Sequence, residues 1–358
     1  MTTSAPPTVA GTTTDVPATV QDVAEAGVTG AHVPARYGGG GLPVPAAMRL
    51  LEDLGRRGTD PGVTFSAVTT MASTGVALTD FGTEEQRARY LPDLCAGRLV
   101  GAHAITEDEA GSDALGMTTR AVREGDAWRL DGRKTFVTNG GIADVYVVYA
   151  RTSATPGPLG VTAFLVPAGT PGLRVVRLLP TMGLERAPVA ELELDGCVVT
   201  DVVGRVGGGF LVLDHVMERE IVLSFAANLG EMDRRLDRCV ARARERRQYG
   251  RPIGQFQAVA HRVADMKIAV ETTRLWLYHA GDAIAAGRSA TLEVSAAKIV
   301  ASTANTRTAL DAVQVFGGRG YLVEHGLEAD VRHSVAGSIY SGTNEIQRNR
   351  IAGMLGLR

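Results

Sequence analysis

The sequence predicts an α+β fold: helices, then a small β-barrel or sandwich, then long helices. Three observations carry this. Apolar residues recur at helical spacing up to about Leu99, at a spacing of two from about Val100 to Val203, and at helical spacing again from Gly207 onward. Turn signals such as Glu124-Gly125-Asp126 and Thr170-Pro171-Gly172 punctuate the middle stretch. Aromatic residues are only 5% of the 358, so a large core is built from Ala, Val and Leu, which suits closely packed helices.

Residues 1–17 are rich in Thr, Pro and Ala with one charge and read as a disordered tail. Residues 18–103 read as a helical domain. Ala46 to Arg56 places Met48, Leu51 and Leu54 on one face. Val63 to Phe81 is small and apolar, the pattern of a buried helix. Thr83 with Gln86 forms a capping box that starts a further helix. The run Gly38 to Gly41 lacks the Lys-Ser/Thr of a phosphate-binding loop. Residues 104–206 read as the β domain, with strands around Trp128 to Leu130, Thr135 to Val137, Val145 to Tyr149, Val161 to Val166, Leu173 to Val176 and Glu191 to Leu194. Asp131-Gly132 reads as a hairpin turn. Residues 207–358 read as long helices near 210–248, 256–286 and 290–316.

Composition narrows the function. With 37 basic and 39 acidic residues the net charge is −2, which argues against a nucleic-acid binder held by a basic field. Cys95, Cys197 and Cys239 are odd in number and far apart, so a disulfide framework or cysteine zinc site is not expected, and a cytoplasmic setting fits. No apolar run approaches the ~18 residues of a membrane span. Met1 to Val16 has no basic residue before an apolar core, so it does not read as a signal peptide.

Three segments carry the chemical signal. Ile105-Thr106-Glu107-Asp108-Glu109-Ala110-Gly111-Ser112-Asp113 joins hydroxyls to small residues at the entry to the β region, with Lys134-Thr135-Phe136-Val137-Thr138-Asn139-Gly140 about 25 residues on. By itself the first reads as an acidic turn. Arg244-Glu245-Arg246-Arg247-Gln248-Tyr249-Gly250-Arg251 is a basic helix end, followed by a turn and a helix containing Gln257. It suits either the helix dipole or a clamp for a diphosphate. Gln314-Val315-Phe316-Gly317-Gly318-Arg319-Gly320-Tyr321 and Ile339-Tyr340-Ser341-Gly342-Thr343-Asn344-Glu345-Ile346-Gln347-Arg348 complete the set. Paired glycines permit close backbone approach to a ligand, or merely end a helix.

In this order and spacing the segments resemble the acyl-CoA dehydrogenase family of flavoproteins, from about Val20 to Arg358. The resemblance implies an N-terminal helical domain, a middle β domain and a C-terminal four-helix bundle, assembled as a homo-oligomer (dimer or tetramer). It implies FAD. Ile105, Thr106, Phe136 and Thr138 would meet the flavin ring, with Gly111 and Ser112 near the pyrophosphate and Ser112 also near substrate. Arg246, Gln248, Tyr249, Gln257, Gln314, Gly317 and Gly318 would serve a cofactor whose adenosine end reaches a neighbouring subunit. Thr343 and Glu345 match the last cofactor segment. Glu345 stands where some members have Gln, and a carboxylate cannot donate as an amide does. The implied reaction is α,β-desaturation of an acyl thioester carried by CoA or by a carrier protein, with an electron-transferring flavoprotein as a common electron acceptor. A flavin oxygenase or oxidase on the same fold, or a non-catalytic thioester-binding homologue, is the alternative.

Most members place the base, a Glu, directly after the Tyr of the last motif. Here that position is Ser341, whose hydroxyl is too weakly basic and is left a substrate-contacting role. A minority branch, isovaleryl-CoA dehydrogenase among it, takes the base from a long helix, and Met217-Glu218-Arg219-Glu220-Ile221 followed by Asn228-Leu229-Gly230 matches that region. Leu213, Val216, Glu220, Leu223 and Ala227 fall on one helical stripe, so Glu220 sits in an apolar face while Glu218 and Arg219 project elsewhere. A carboxylate among apolar side chains calls for a partner or a purpose, and it is the kind that works as a general base near neutrality. The bland reading is a structural Glu paired with an Arg. Two departures from the family stand out: Ile221 where Arg is common, and an opening helix that is shortened or absent.

Overall fold

The structure, a computed structural model, describes residues 19–154 and 157–357; the expected disordered tail, residues 1–17, lies outside them. The first described elements are helices α1 (Val20–Glu25), α2 (Val44–Arg57), α3 (Pro61–Thr69), α4 (Ala77–Phe81) and α5 (Glu84–Cys95). Local signals set their ends. Asp60 Oδ1 accepts from the amides of Gly62 and Val63, with Pro61 in the first turn of α3. Thr83 and Gln86 close the capping box of α5 in both directions. A π-helical stretch, Thr70–Val76, joins α3 to α4, and all seven of its residues are buried. Such widened turns frequently accompany functional sites.

Strands β1 (Gly101–Ala104), β2 (Arg120–Glu124), β3 (Ala127–Thr138), β4 (Val145–Arg151), β5 (Val161–Pro167), β6 (Leu173–Leu179), β7 (Val189–Val199) and β8 (Val202–Val203) form one sheet. Its order is β6-β7-β3-β2-β4-β5-β8, with β1 parallel to β4. Among the described residues β6 and β8, at the two ends of this path, do not pair. The sheet covers its own core of Leu130, Val137, Tyr146, Phe164 and Leu192. Strand β4 is buried on both faces, because Val145, Val147 and Tyr149 pack instead toward the helices.

Asp131-Gly132 is not a hairpin. It lies inside β3 at a register shift against β7. Asp131 Oδ1 accepts from the Gly196 amide across the strands, and a Cβ on Gly132 would come within 2.5 Å of Thr119 Oγ1. The glycine serves a bulge and a close strand approach. The turn between β2 and β3 falls at Gly125, where φ is +64°.

Helix α6 (Gly209–Glu245) runs 37 residues and is followed by a two-stranded hairpin, β9 (Arg247–Gln248) and β10 (Arg251–Pro252), and by α7 (Gln257–Ala285), α8 (Thr291–Phe316), α9 (Leu327–Val335) and α10 (Asn344–Met354). The long helices α6, α7 and α8 pack on one another; α9 and α10 pack on α8. Helix α2 joins this bundle against α6. Gly55 and Gly230 make that approach possible: a Cβ on Gly230 would sit 1.9 Å from the Glu52 carbonyl oxygen. The predicted stripe of α6 is buried throughout. Its first part, Leu213 and Val216, packs with β4 and β5; from Ile221 onward the helix joins the all-helical core. Glu220 lies at the junction between the two cores.

Candidate active site

Glu220 is 4% exposed, and its two carboxylate oxygens have different surroundings. Oε1 accepts a 2.5 Å hydrogen bond from Ser341 Oγ. Oε2 makes no aligned hydrogen bond, and His103 Nε2 lies 3.3 Å from it. The ion pairs of Glu220 among the described residues include no Arg, so the bland reading of an Arg-held structural Glu is not what the fold builds. Its neighbours on the helix are turned away as the stripe requires. Thr291 Oγ1 donates to Glu218 Oε1 at 3.1 Å, and Arg219 donates to the His215 carbonyl and lies 3.9 Å from Asp80.

Ser341 adopts φ +53°, one of five described non-glycine residues in the left-handed region. The loop that imposes this is held from α8 and α10. Gln347 Nε2 donates to the carbonyls of Ser341 and Gly342, and Ser295 Oγ donates to Gln347 Oε1. Lys298 Nζ and Ser302 Oγ both donate to Asn344 Oδ1. Burial holds the Lys298 ammonium down at about 8. Thr343 caps α10 through the Ile346 amide, and Glu345 pairs with Arg348 on the surface. Beyond Glu220, a narrow cavity is lined by Phe65, Ser224, Asn228, Glu231 and Tyr340. Tyr340 donates to Asn228 at 3.2 Å, and burial pushes the Glu231 carboxyl up to about 7 despite the charge of Arg235.

The β-domain residues expected around a flavin converge on one edge. The Thr135 amide donates to the Thr106 carbonyl at 2.9 Å, bringing β3 beside the Ile105–Ser112 turn. Gly111 stands against Thr106, and Ser112 is exposed next to it. Glu107 ties the turn down: its carboxylate accepts from Lys134 Nζ, from the amides of Thr118 and Thr119, and from Thr118 Oγ1. Burial pushes Glu107 up, but the Lys134 charge and these donors outweigh it and hold the carboxyl at about 2. The acidic turn is therefore a rigid support. Phe136 fits a planar ring: it sits at a register shift in β3 with φ +52° and is 67% exposed. An apolar ring displayed in strained backbone marks a site that something else covers. Thr138 follows it on the same strand, half-buried.

The remaining expected cofactor residues gather elsewhere. Gln248 lies in β9, Tyr249 at the tip of its hairpin, and Gln257 opens α7; all are exposed. Gln314 is exposed near the end of α8, and open space faces both Gly317 and Gly318. Arg242 is flanked by the charges of Arg246 and Arg319, while burial and both neighbours disfavour its charged form. Three guanidinium groups repelling one another beside two bare glycines fit a diphosphate. Arg246 follows Glu220 along α6 by roughly seven turns, about 39 Å.

Sequence reading missed His103 and Asn139. His103 is a lone His on a four-residue strand, and its relation to Glu220 follows only from the pairing of β1 with β4. Asn139 is fully buried with φ +63°. It accepts from Ser66 Oγ and donates to the carbonyls of Ser66 and Gly101, docking the end of β3 onto α3 and β1. An Asn-Gly pair after a strand signals a turn, which is the only trace it leaves in sequence.

Comparison with known proteins follows the same division of the chain. Residues 6–98, 102–197 and 207–356 match, in turn, the N-terminal, middle and C-terminal domain models described as acyl-CoA dehydrogenase. An L-prolyl-[peptidyl-carrier protein] dehydrogenase of Pseudomonas fluorescens is 39% identical over 92% of this chain and 87% of its own. A crystal structure of the prolyl acyl carrier protein oxidase AnaB superposes with a TM-score of 0.92 at 38% identity, covering 94% of this chain and 89% of that one. PigA with FAD and proline superposes with a TM-score of 0.93 at 34% identity, covering 95% and 89%.

Proposed function

The chain belongs to the acyl-CoA dehydrogenase family, and on that premise we propose that Glu220 is the base that removes the α-proton of its substrate. The reaction is FAD-dependent α,β-desaturation of an acyl thioester. The observation that carries the assignment is the 2.5 Å contact between Glu220 Oε1 and Ser341 Oγ. It brings the helix-borne carboxylate to the residue that directly follows Tyr340 in the last motif. With Oε1 held by Ser341, Oε2 keeps a lone pair with which to accept the proton. Bound flavin supplies the acceptor for the β-hydride. Ser341, first expected to touch substrate, is proposed to orient the base.

The thioester is proposed to be a short aminoacyl group on a carrier protein. Two features support this. Two of the relatives described above are named for prolyl groups on carrier proteins. The cavity beyond Glu220 is narrow and carries polar groups, with Ser224 Oγ buried and unbonded. A long hydrocarbon tail would strand them. The assembly is proposed to be a homo-oligomer in which the Arg242, Arg246 and Arg319 cluster of one copy holds the cofactor of another. No helix among the described residues is long and apolar enough to cross a membrane.

Anaerobic flavin bleaching tests the reading, with prolyl, other aminoacyl and acyl groups presented on a carrier protein and on CoA. Fast bleaching by the aminoacyl carrier thioesters is expected. Faster bleaching by medium-chain acyl-CoA would overturn the substrate class, and full bleaching by the Glu220→Gln variant would overturn the base.

A further inference from the structure

We infer that His103 is a second positioning residue for the base, anchoring Oε2 as Ser341 anchors Oε1. The inference rests on Glu220 being that base. Strand β1 pairs in parallel with β4 so that His103 lies beside Val147. Its neighbours Ala102 and Ala104 enter the core of the sheet, so alternation sends His103 to the opposite face, where Val147 packs. Leu213 and Val216 of α6 cover that face, and the next turn presents Glu220. The imidazole and carboxylate meet there at 3.3 Å, with side chains 12% and 6% exposed. Gly101 presses β1 against the π-helical stretch: a Cβ there would lie 2.3 Å from Thr74 Oγ1. The strand therefore has little room to shift.

The chemistry needs this anchor. A Glu side chain has three rotatable bonds, and a single hydrogen bond at Oε1 leaves its carboxylate free to turn about that contact. A donor beside Oε2 defines the carboxylate plane, and a geometric error of about 1 Å at a reacting group can lower rate a hundredfold. His103 Nδ1 is buried and unbonded, so the tautomer with its proton on Nε2 leaves only an acceptor unsatisfied. The Nε2–H then lies beside Oε2. The contact is long at 3.3 Å, and catalytic hydrogen bonds commonly tighten only in the substrate complex.

The test compares His103→Gln, His103→Asn and Glu220→Gln as FAD-loaded proteins, reading stopped-flow flavin reduction at saturating thioester together with half-saturation and flavin content. Gln reaches with its amide where Nε2 lies; Asn, equally polar, falls short. His103→Gln should stay within about threefold of the parent. His103→Asn should slow reduction about tenfold to a hundredfold, with half-saturation and flavin content unchanged and a larger deuterium effect at the α-carbon. Equal rates in parent and His103→Asn, or equal slowing in both His103 variants, overturn the anchor while Glu220→Gln stays inactive. An active Glu220→Gln instead removes the premise.

Discussion

Ser341 donates a 2.5 Å hydrogen bond to Glu220 across 121 residues of sequence. The two positions from which family members take their base thus meet at one point. Glu220→Gln should lower flavin reduction by about two to four orders of magnitude, the usual weight of a general base. Adding Ser341→Glu to that variant should recover part of the loss, because the new carboxylate starts where Oγ now touches the old one. Ser341→Glu alone should be slower than the parent, since two carboxylates at that separation do not both ionise. Single-turnover bleaching of the three variants checks the set; a double variant no faster than Glu220→Gln would separate the two positions functionally.

Glu231 gives a stability prediction with a definite sign. Burial raises its carboxyl from 4.5 to about 7 in the native state, so the folded chain holds a proton there that the unfolded chain releases. Stability carried by that proton is complete below pH 4.5 and is lost as pH rises through 7. The shift corresponds to on the order of 3 kcal/mol. Glu231→Gln, close to isosteric, should therefore unfold at the same denaturant concentration as the parent near pH 4.5 and at a higher one at pH 8. A parent and variant that run parallel from pH 4.5 to 8 would place the titration elsewhere.

The sequence shows why Glu220 could be found and His103 could not. The stripe of α6 is a local property, written in steps of three and four, and burial of Leu213, Val216, Glu220, Leu223 and Ala227 follows from it directly. His103 meets Glu220 only because β1 joins β4 in parallel and α6 crosses that face, a pairing with no local code. The same limit explains Asp131-Gly132. As a dipeptide it is a hairpin turn, but Thr119, directly before β2, and Gly196 from β7 claim it for a bulge. The acidic turn at Glu107 reads as solvated until Lys134 is brought to it from β3.

That Glu107–Lys134 pair predicts a rigid support for the flavin edge. Lys134 is 1% exposed, and its ammonium reaches both Glu107 and the Ile105 carbonyl. Lys134→Met leaves the carboxylate buried without its cation and should destabilise the protein by about 3–5 kcal/mol. Glu107→Gln should act chiefly in acid. The native carboxyl is held at about 2, below its unfolded value, so its contribution is present above about 4.5 and is lost as pH falls through 2. Parent stability should decline more steeply than that of Glu107→Gln across that window in urea titrations. Identical acid limbs would mean that the carboxylate is not held by its partners.

The two separated cofactor clusters predict complementation between chains. Glu220 and Arg246 lie about 39 Å apart along one helix, and in the proposed homo-oligomer a cofactor beside the Glu220 of one copy would meet the Arg246 of another. Arg246→Ala then spoils a neighbour's site and leaves its own base intact; Glu220→Gln does the reverse. Refolding the two inactive variants together yields mixed assemblies in which one site in each mixed pair draws its base from one chain and its guanidinium from the other. That site is of parent composition. Mixed samples should regain up to about a quarter of parent activity if chains pair at random in twos, and should retain more flavin than Arg246→Ala alone at equal concentration. Light scattering of the same samples reports whether pairing occurred. Mixed assemblies that form but stay inactive would mean that Arg246 serves its own chain.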